Sequence, residues 1–174
     1  MTLSLSLSPD VYTELVSRLG STDTEHVWFL FTEHFGSGAI LRVVDLYEVP
    51  PTQFITQSAY HVALADEVRG HVIGRATEIG GSLVEVHTHL GSKAAEFSPS
   101  DLFGFKEWVP HVRWRLRGRP YVAIVFARDS FDALVWSDGV QEPDKLDGLI
   151  VEGQGRLPPT GLTHASLIEG RRGR

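Results

Sequence analysis

Short apolar runs of strand length alternate along this chain with segments of helical periodicity, and this alternation most constrains the fold. Four runs are dense in the β-branched, aromatic and leucine side chains typical of buried strands, at residues 26–31, 39–49, 83–87 and 121–127. Two segments between these runs carry apolar residues on one side of a helix, at 9–19 and 66–79. The pattern predicts an α/β fold, a mixed β-sheet with helices packed against it.

Turn and capping residues mark the borders of the predicted elements. Ser8, Pro9 and Asp10 form a typical helix start, and Gly80 follows the second predicted helix. Ser98 opens a third predicted helix that runs to about Leu116. Three further features are expected, a turn at 36–38, a strand near 59–64 and a strand at 131–136 that forms a hairpin with 121–127.

The chain has 174 residues, which suits one domain with a sizeable core. We find no internal repeat and no second domain. After Gly139 the sequence is rich in glycine, proline and charge, with one apolar island at 149–151. We therefore assign residues 1–152 to the domain and expect residues 153–174 to form a flexible, loosely attached C-terminal tail.

The net charge of −6 and the lack of cysteine narrow the classes of function. Phosphate binding needs clustered Lys and Arg, so this acidic chain argues against a nucleic-acid partner. Without cysteine, disulfides, thiolate metal sites and a cysteine nucleophile are excluded, and any metal must be held by histidine and carboxylate. The N-terminus does not resemble a signal peptide and no apolar run has the length of a membrane span, which predicts a cytoplasmic protein without a membrane partner.

His87 and His89 are the central candidates for a metal site. They lie two residues apart at the end of a predicted strand, so their side chains share one face and can reach the same atom. Imidazole nitrogens suit Zn²⁺. Asp101 lies at the start of the third predicted helix, and a loop that folds back would bring its carboxylate beside the two rings. Two histidines and one aspartate leave the fourth tetrahedral position for water, as in a catalytic zinc site.

Asp101 also has a purely structural interpretation. Ser98 and Asp101 have the spacing of a capping box, in which the two side chains satisfy the free amide groups at the start of a helix. If Asp101 only caps the helix, the metal site loses its third ligand. Taken alone, these residues favour the cap.

The segment His87-Thr88-His89, followed by a loop and then Ser98-Pro99-Ser100-Asp101, resembles the JAMM motif of the JAB/MPN zinc metalloproteases. In that family an upstream glutamate opens a hydrophobic strand after the first helix, and Glu25 holds this position here. The resemblance extends in order over about residues 11–136. It departs from the family pattern in two places, an eight-residue gap after His89 that is one residue longer than usual and Leu90 in place of a frequent proline.

The resemblance implies an MPN/JAB fold, a central curved mixed sheet flanked by helices, with a single zinc site. It implies that His87, His89 and Asp101 bind the zinc. Glu25 would then accept a proton from the bound water and pass it to the leaving amine. Ser98 would donate a hydrogen bond to the tetrahedral oxyanion.

The family further implies a hydrolase that cleaves after the C-terminal glycine of ubiquitin or a ubiquitin-like protein, by deconjugation or by precursor processing. The bare catalytic domain looks like the prokaryotic stand-alone branch, whose partners are ubiquitin-like proteins or their conjugates. Three alternatives stay open: a non-catalytic MPN scaffold, a RadC-like relative and a structural zinc site. The sequence predicts neither the oligomeric state nor the particular ubiquitin-like protein.

Other titratable residues are weaker candidates for the site. Glu85 lies two residues before His87 on the same strand face and is the main alternative to Glu25. His26 adjoins Glu25 but faces the opposite side of its strand. The acids near strand ends are expected to be solvated, Glu33, Asp45 and Glu48. No ligand role is expected for the histidines without a companion at ligand spacing, His34, His61, His71, His111 and His164.

Two tryptophans of the third predicted helix are expected to pack in the core. Trp108 and Trp114 lie six residues apart, and Phe105 and Val112 share the apolar side of the same helix. Core packing is the preferred interpretation of this group, rather than a binding surface.

Overall fold

The structure is a computed structural model that describes residues 2–20, 23–35, 39–57, 62–91, 93–137 and 142–172. A short 3₁₀ turn, Pro51–Gln53, follows the third strand. The strands and helices in chain order are β1 (Ser4–Leu7), α1 (Pro9–Ser17), β2 (Val27–Phe35), β3 (Ile40–Glu48), β4 (Phe54–Gln57), β5 (Val62–Leu64), α2 (Asp66–Ile79), β6 (Leu83–Thr88), α3 (Pro99–Arg115), β7 (Tyr121–Ala127), β8 (Ser130–Trp136), β9 (Asp144–Lys145), β10 (Gly148–Val151), β11 (Gly155–Leu157) and α4 (Leu162–Arg172).

The main sheet is mixed, which confirms the predicted α/β class. Within the described residues it has nine strands in the order β11-β10-β1-β3-β2-β6-β7-β8-β9, while β4 and β5 form a separate hairpin. β1 runs parallel to both of its neighbours, and β6 runs parallel to β7. The strand that carries His87, β6, therefore lies near the middle of the sheet, with β2 and β7 hydrogen-bonded to its two edges.

Helices cover both faces of the sheet. Alternate residues of β2 show this, because Trp28 belongs to the core on the α1 side and Phe29 to the core on the α2 and α3 side. Leu15 of α1 is buried in the first core, and Val72 of α2 and Val109 of α3 are buried in the second. None of the helices in the described ranges has both the length and the apolar character needed to span a membrane.

Local chemistry explains where the first two helices begin and end. The Ser8 hydroxyl accepts a hydrogen bond from the Val11 amide at 3.3 Å, as an N-cap does. α2 ends at Gly80, whose φ of 75° is the left-handed conformation that glycine adopts without strain. At Gly81 the backbone passes so close to Thr32 that a Cβ would lie 1.4 Å from the Thr32 carbonyl oxygen, so only glycine fits there.

The N-terminal strand β1 is an element that the sequence analysis did not predict. It lies between β3 and β10 inside the sheet, and Leu3, Leu5 and Leu7 are buried. The signal was present, since leucine and serine alternate over residues 3–8 with the period of two that a strand requires. The isolated apolar island at 149–151 is the partner of this segment, in β10.

The C-terminal region corrects the expectation of a loosely attached tail from residue 153. β11 pairs with β10, and α4 packs against β8. The physical reason lies in Asp132 of β8, a fully buried carboxylate that accepts hydrogen bonds from the amides of Gly161 at 3.0 Å and Thr163 at 2.9 Å. An aspartate in the core thus caps the start of α4 and fixes it to the sheet.

Two local predictions fall partly outside the described residues. The strand expected near 59–64 corresponds in part to β5, which pairs with β4 in an antiparallel hairpin, but residues 58–61 lie outside the described ranges. The turn expected at 36–38 also lies outside them. The predicted hairpin of 121–127 with 131–136 is confirmed as β7 and β8.

Candidate metal centre

His87 and His89 lie at the end of β6, where the strand leaves the sheet. Their Nε2 atoms are 3.2 Å apart, and the His87 side chain is almost completely buried. The Thr88 amide donates to the His26 carbonyl at 3.0 Å and the His89 amide to the Phe126 carbonyl at 2.8 Å. Both neighbouring chain segments therefore keep the backbone extended through His89, so the two rings share one face, as the spacing predicted.

Asp101 lies in the first turn of α3 and faces both rings. Its Oδ2 atom is 3.5 Å from His87 Nε2 and 3.2 Å from His89 Nε2. The three ligand atoms all lie within 4.8 Å of one another, and in the part of the chain that the structure describes this is the one group of three such residues close enough to hold a metal ion. The loop between His89 and α3 folds back as the sequence analysis expected.

Asp101 forms the capping box and also faces the two histidines. Its Oδ2 atom accepts from the Ser98 amide at 2.7 Å and from the Ser98 hydroxyl at 2.8 Å, while the Asp101 amide donates to Ser98 Oγ at 3.2 Å. The two interpretations of this residue therefore do not compete. The cap holds the carboxylate in the orientation that points it at the imidazoles.

The electrostatics of the cluster favour a positive charge at its centre. Burial alone would raise the pKa of Asp101, but hydrogen bonds from His87 and His89 outweigh it and hold that pKa well below its usual range. Burial likewise opposes a charged His87, yet the adjacent Asp101 outweighs it and raises the His87 pKa. The same negative field would attract a divalent cation, and two imidazole nitrogens with one carboxylate are a donor set that suits zinc.

Glu25 lies at the same end of the sheet, two residues before β2. It is 6% exposed and lines the cleft over the histidines. In the antiparallel register of β2 with β6, Val27 pairs with His87, so continuing the register by two residues puts Glu25 opposite His89. The side-chain amide of Gln57 donates to the Glu25 carbonyl at 2.9 Å and ties this segment to the β4–β5 hairpin.

Glu85, the alternative acid, lines the same cleft and is held there by a hydrogen-bond chain that the sequence did not reveal. The Trp108 indole donates to the Tyr121 hydroxyl at 2.9 Å, and that hydroxyl donates to Glu85 Oε2 at 2.5 Å. Burial raises the pKa of Glu85 and also that of Tyr121. Glu85 therefore has a fixed protein partner in the Tyr121 hydroxyl, which suits a structural role.

The remaining acidic candidates lie away from the cleft. Each is paired with an arginine: Glu33 with Arg42 at 3.8 Å, Asp45 with Arg75 at 2.8 Å and Glu48 with Arg18 at 3.3 Å. None of the three belongs to the cleft lining.

The other described histidines also lie elsewhere. His26 stacks on Trp28 on the opposite side of the sheet, with ring centroids 5.7 Å apart. His71 and His111 contact aromatic rings, and His164 Nε2 is 3.3 Å from Asp144. His34 is exposed on β2, and His61 is outside the described residues.

The two tryptophans of α3 differ from the predicted core packing. Trp108 is half-buried and reaches Tyr121, but Trp114 is 74% exposed. Six residues of helix correspond to about 600°, so the two side chains point in different directions and cannot both face the core. Core packing is therefore wrong for Trp114.

A cleft of about 1250 Å³ opens over the cluster. Its walls come from the segment around Glu25, the β4–β5 hairpin with Ile55, and α3 with Leu102. A further wall is α4, through Thr163, Ser166 and Leu167. This last wall was not predicted from the sequence, because α4 falls in the segment that was expected to be a flexible tail.

Comparison with known proteins gives the fold but no family. No protein-family model matches the chain, and no curated protein matches it. Among solved structures it is similar to the solution structure of protein DSY2949 from Desulfitobacterium hafniense, with a TM-score of 0.50 over 86% of this chain and 95% of that chain. The sequences are 15% identical, so the likeness concerns the fold alone and function has to be argued from the site.

Proposed function

We propose that this chain is a zinc-dependent hydrolase of the JAMM (JAB/MPN) type. The observation that carries the proposal is the convergence of His87, His89 and Asp101 at the edge of a large cleft, with Glu25 buried beside them. The order of these residues along the chain, and their positions before β2, at the end of β6 and at the start of α3, support the resemblance to the family motif, from which the chain departs in the longer gap after His89 and in Leu90.

The donor set supports a catalytic zinc rather than a structural one. Structural sites usually have four protein ligands, whereas catalytic sites have three and leave a position for water. In the described part of the chain the cluster has three members, and these lie at the edge of an open cleft. When bound, zinc supplies a water of lowered pKa and polarises the substrate carbonyl.

Protein groups would perform the proton transfers and the orientation. We assign to the Glu25 carboxylate the acceptance of a proton from the attacking water and its later transfer to the leaving amine. Burial at 6% exposure limits competition from bulk solvent at this carboxylate. We assign to the Ser98 hydroxyl a hydrogen bond to the developing oxyanion, for which its O–H has to turn away from Asp101.

The proposed substrate is the extended C-terminal tail of a ubiquitin-like protein, cleaved after its last glycine in a peptide or isopeptide bond. An extended tail suits a cleft walled partly by a two-stranded hairpin, because a chain can add to a free strand edge through backbone hydrogen bonds. The net charge of −6 argues against nucleic acid as a partner.

Zinc content and hydrolysis measured together test the proposal. Purified protein should carry about one zinc per chain. It should also cleave a linear fusion protein, in which a further segment follows the terminal glycine of a ubiquitin-like protein, directly after that glycine. Double replacement of His87 and His89 by Ala should abolish both, while His34→Ala, an exposed histidine on β2, should change neither. Unchanged zinc content in the double variant would end the hypothesis.

A further inference from the structure

The loop before α3 is tied to the C-terminal helix by a buried hydrogen bond. The Phe97 amide donates to the Thr163 hydroxyl at 3.0 Å, and both residues are buried. Residue 97 directly precedes Ser98, the cap that holds Asp101. The contact therefore joins α4 to the position where the third candidate ligand is oriented.

Two more contacts hold the same loop from the C-terminal side and from β8. The Ala95 amide donates to Ser130 Oγ at 2.8 Å, and the Ala95 carbonyl accepts from Thr160 Oγ1 at 2.8 Å. Residues 95–97 are thus fixed at both ends by groups outside the loop. Because a loop of this length has many accessible conformations, such contacts decide which one it adopts.

Phe97 supports two of the candidate ligands, one through its ring and one through its backbone. Its ring packs against the His87 ring with centroids 5.6 Å apart, and its backbone leads into the Ser98 amide that donates to Asp101 Oδ2. A shift of the Phe97 backbone therefore moves the support behind one ligand and the cap of another.

Thr163 is held by the core of the sheet. Asp132 of β8 accepts the Thr163 amide through one carboxylate oxygen and the Gly161 amide through the other. Since Asp132 is fully buried in the sheet, it defines the position of the Thr163 backbone. A continuous path of hydrogen bonds and ring contact therefore leads from β8 through α4 to His87 and Asp101.

We infer that Thr163 is a positioning residue for the metal centre, through which α4 sets the geometry of the zinc ligands. The inference rests on the proposed function and deepens it, because it names the element that controls metal affinity at that site. Thr163→Val keeps the shape of the side chain but leaves the buried Phe97 amide without its acceptor. Zinc affinity should fall roughly tenfold, the lower part of the range known for groups that orient metal ligands.

Two other variants make the experiment specific. Thr163→Ser keeps the hydroxyl and should bind zinc nearly as the unchanged protein does. Thr32→Val is the matched control, because Thr32 is likewise a fully buried threonine whose hydroxyl makes a hydrogen bond, in this case donated to the Ser82 carbonyl at 3.3 Å, but it lies outside the cleft lining. Zinc affinity is measured by competition with a chelator of known affinity, and each variant is also unfolded with denaturant.

An unchanged zinc affinity in Thr163→Val, or an equal loss in Thr32→Val, would overturn the positioning role while leaving the zinc site itself intact. Hydrogen exchange of the Phe97 amide in metal-free protein gives a readout that does not depend on zinc. Exchange should be faster in Thr163→Val than in Thr163→Ser or Thr32→Val, and equal rates in all three would refute the contact. If the unchanged protein binds no zinc, the proposed function fails, and this exchange measurement still tests the contact between α4 and the loop.

Discussion

The Ser98 hydroxyl donates a hydrogen bond to Asp101 Oδ2 at 2.8 Å, the same oxygen that lies 3.2 Å from His89 Nε2. One carboxylate oxygen thus serves the helix cap and faces the candidate ligands. The Ser98 proton has two possible acceptors during a reaction, this carboxylate and a developing oxyanion. Stability, metal affinity and turnover are therefore coupled at Ser98, and substitutions there can separate them.

Ser98→Ala is expected to lower stability and turnover together. Loss of the N-cap should cost about 0.5–2 kcal/mol in the free energy of unfolding. With zinc kept saturating, kcat should fall by more than this loss explains, since one oxyanion donor can contribute about 10²–10³-fold. Denaturant unfolding and steady-state kinetics on the same preparation give both quantities.

Ser98→Asp separates the two roles of this residue. Aspartate caps a helix well and suits its positive N-terminus, but it loses the hydrogen bond to Asp101 Oδ2 and brings a second carboxylate beside it, so stability should lie between that of the unchanged protein and that of Ser98→Ala. Its negative charge would repel an oxyanion, so kcat should fall as in Ser98→Ala. A stable and fully active Ser98→Asp protein would mean that Ser98 only caps, and the oxyanion donor would have to be sought in the loop 91–97, where Ser92 lies outside the described residues.

Glu25→Gln and Glu85→Gln distinguish the buried Glu25 from the half-buried Glu85 as the proton acceptor of the cleft. Glu25→Gln should retain zinc and lose about 10²–10⁴-fold in kcat, because the amide cannot accept the proton. Glu85→Gln should keep most of the activity, since its amide oxygen can still accept from Tyr121. An inactive Glu85→Gln beside an active Glu25→Gln would show that the acid has been wrongly assigned.

Stability of the metal-free protein should depend on pH through His87 and Asp101. The raised pKa of His87 means that its contribution is complete below the ordinary value of 6.5 and is lost as pH rises through the raised value. The lowered pKa of Asp101 means that its contribution is complete above 3.8 and is lost as pH falls toward the lowered value. Unfolding of chelator-treated protein should therefore require most denaturant between these limits.

Added zinc should reverse the loss of stability that the metal-free protein shows as pH rises. Protons and metal compete for His87, so stabilisation by added zinc should grow as pH rises through the raised pKa of His87. Denaturant titrations with and without zinc at each pH measure the difference. A His87→Ala protein, which lacks the competing group, should show neither the loss of metal-free stability above pH 6.5 nor the gain from zinc.

Local patterns were enough to predict the parts of the fold in which local and tertiary forces agree. The dense run of apolar residues around Val84 and Val86 predicted β6, and the caps at Ser8 and Ser98 predicted two helix starts. The approach of Asp101 to the histidines was predicted from motif order together with a helix start. In each case, residues within a short window contain the cause of the structure.

Elements whose stability comes from distant partners were not predictable in this way. α4 carries few apolar residues, and it is fixed by Asp132, about thirty residues earlier, which no local pattern connects to Thr163. The hydrogen bond between Tyr121 and Glu85 likewise depends on the parallel pairing of β6 with β7. A strand register is a tertiary property, so neither contact has a signature in the sequence near it.

Asp132→Asn tests whether the C-terminal helix is an integral part of the domain. Both carboxylate oxygens accept backbone amides, Gly161 and Ala133 on Oδ1 and Thr163 on Oδ2. An asparagine has one oxygen, so its amide nitrogen would face a backbone donor in a fully buried position. Leaving such a donor unsatisfied should cost about 1–3 kcal/mol in the free energy of unfolding.

Asp129→Asn is the matched control, because it removes the same charge three residues earlier at an exposed position and should cost little. In Asp132→Asn, amides of 162–172 should exchange faster than those of β6, since the helix loses its cap while the centre of the sheet keeps its hydrogen bonds. Equal stability of the two variants would mean that the Asp132 carboxylate is not what holds α4 to the sheet. If Asp132→Asn instead loosens α4, the Phe97 amide should lose protection with it, because Thr163 carries the hydroxyl that this amide reaches.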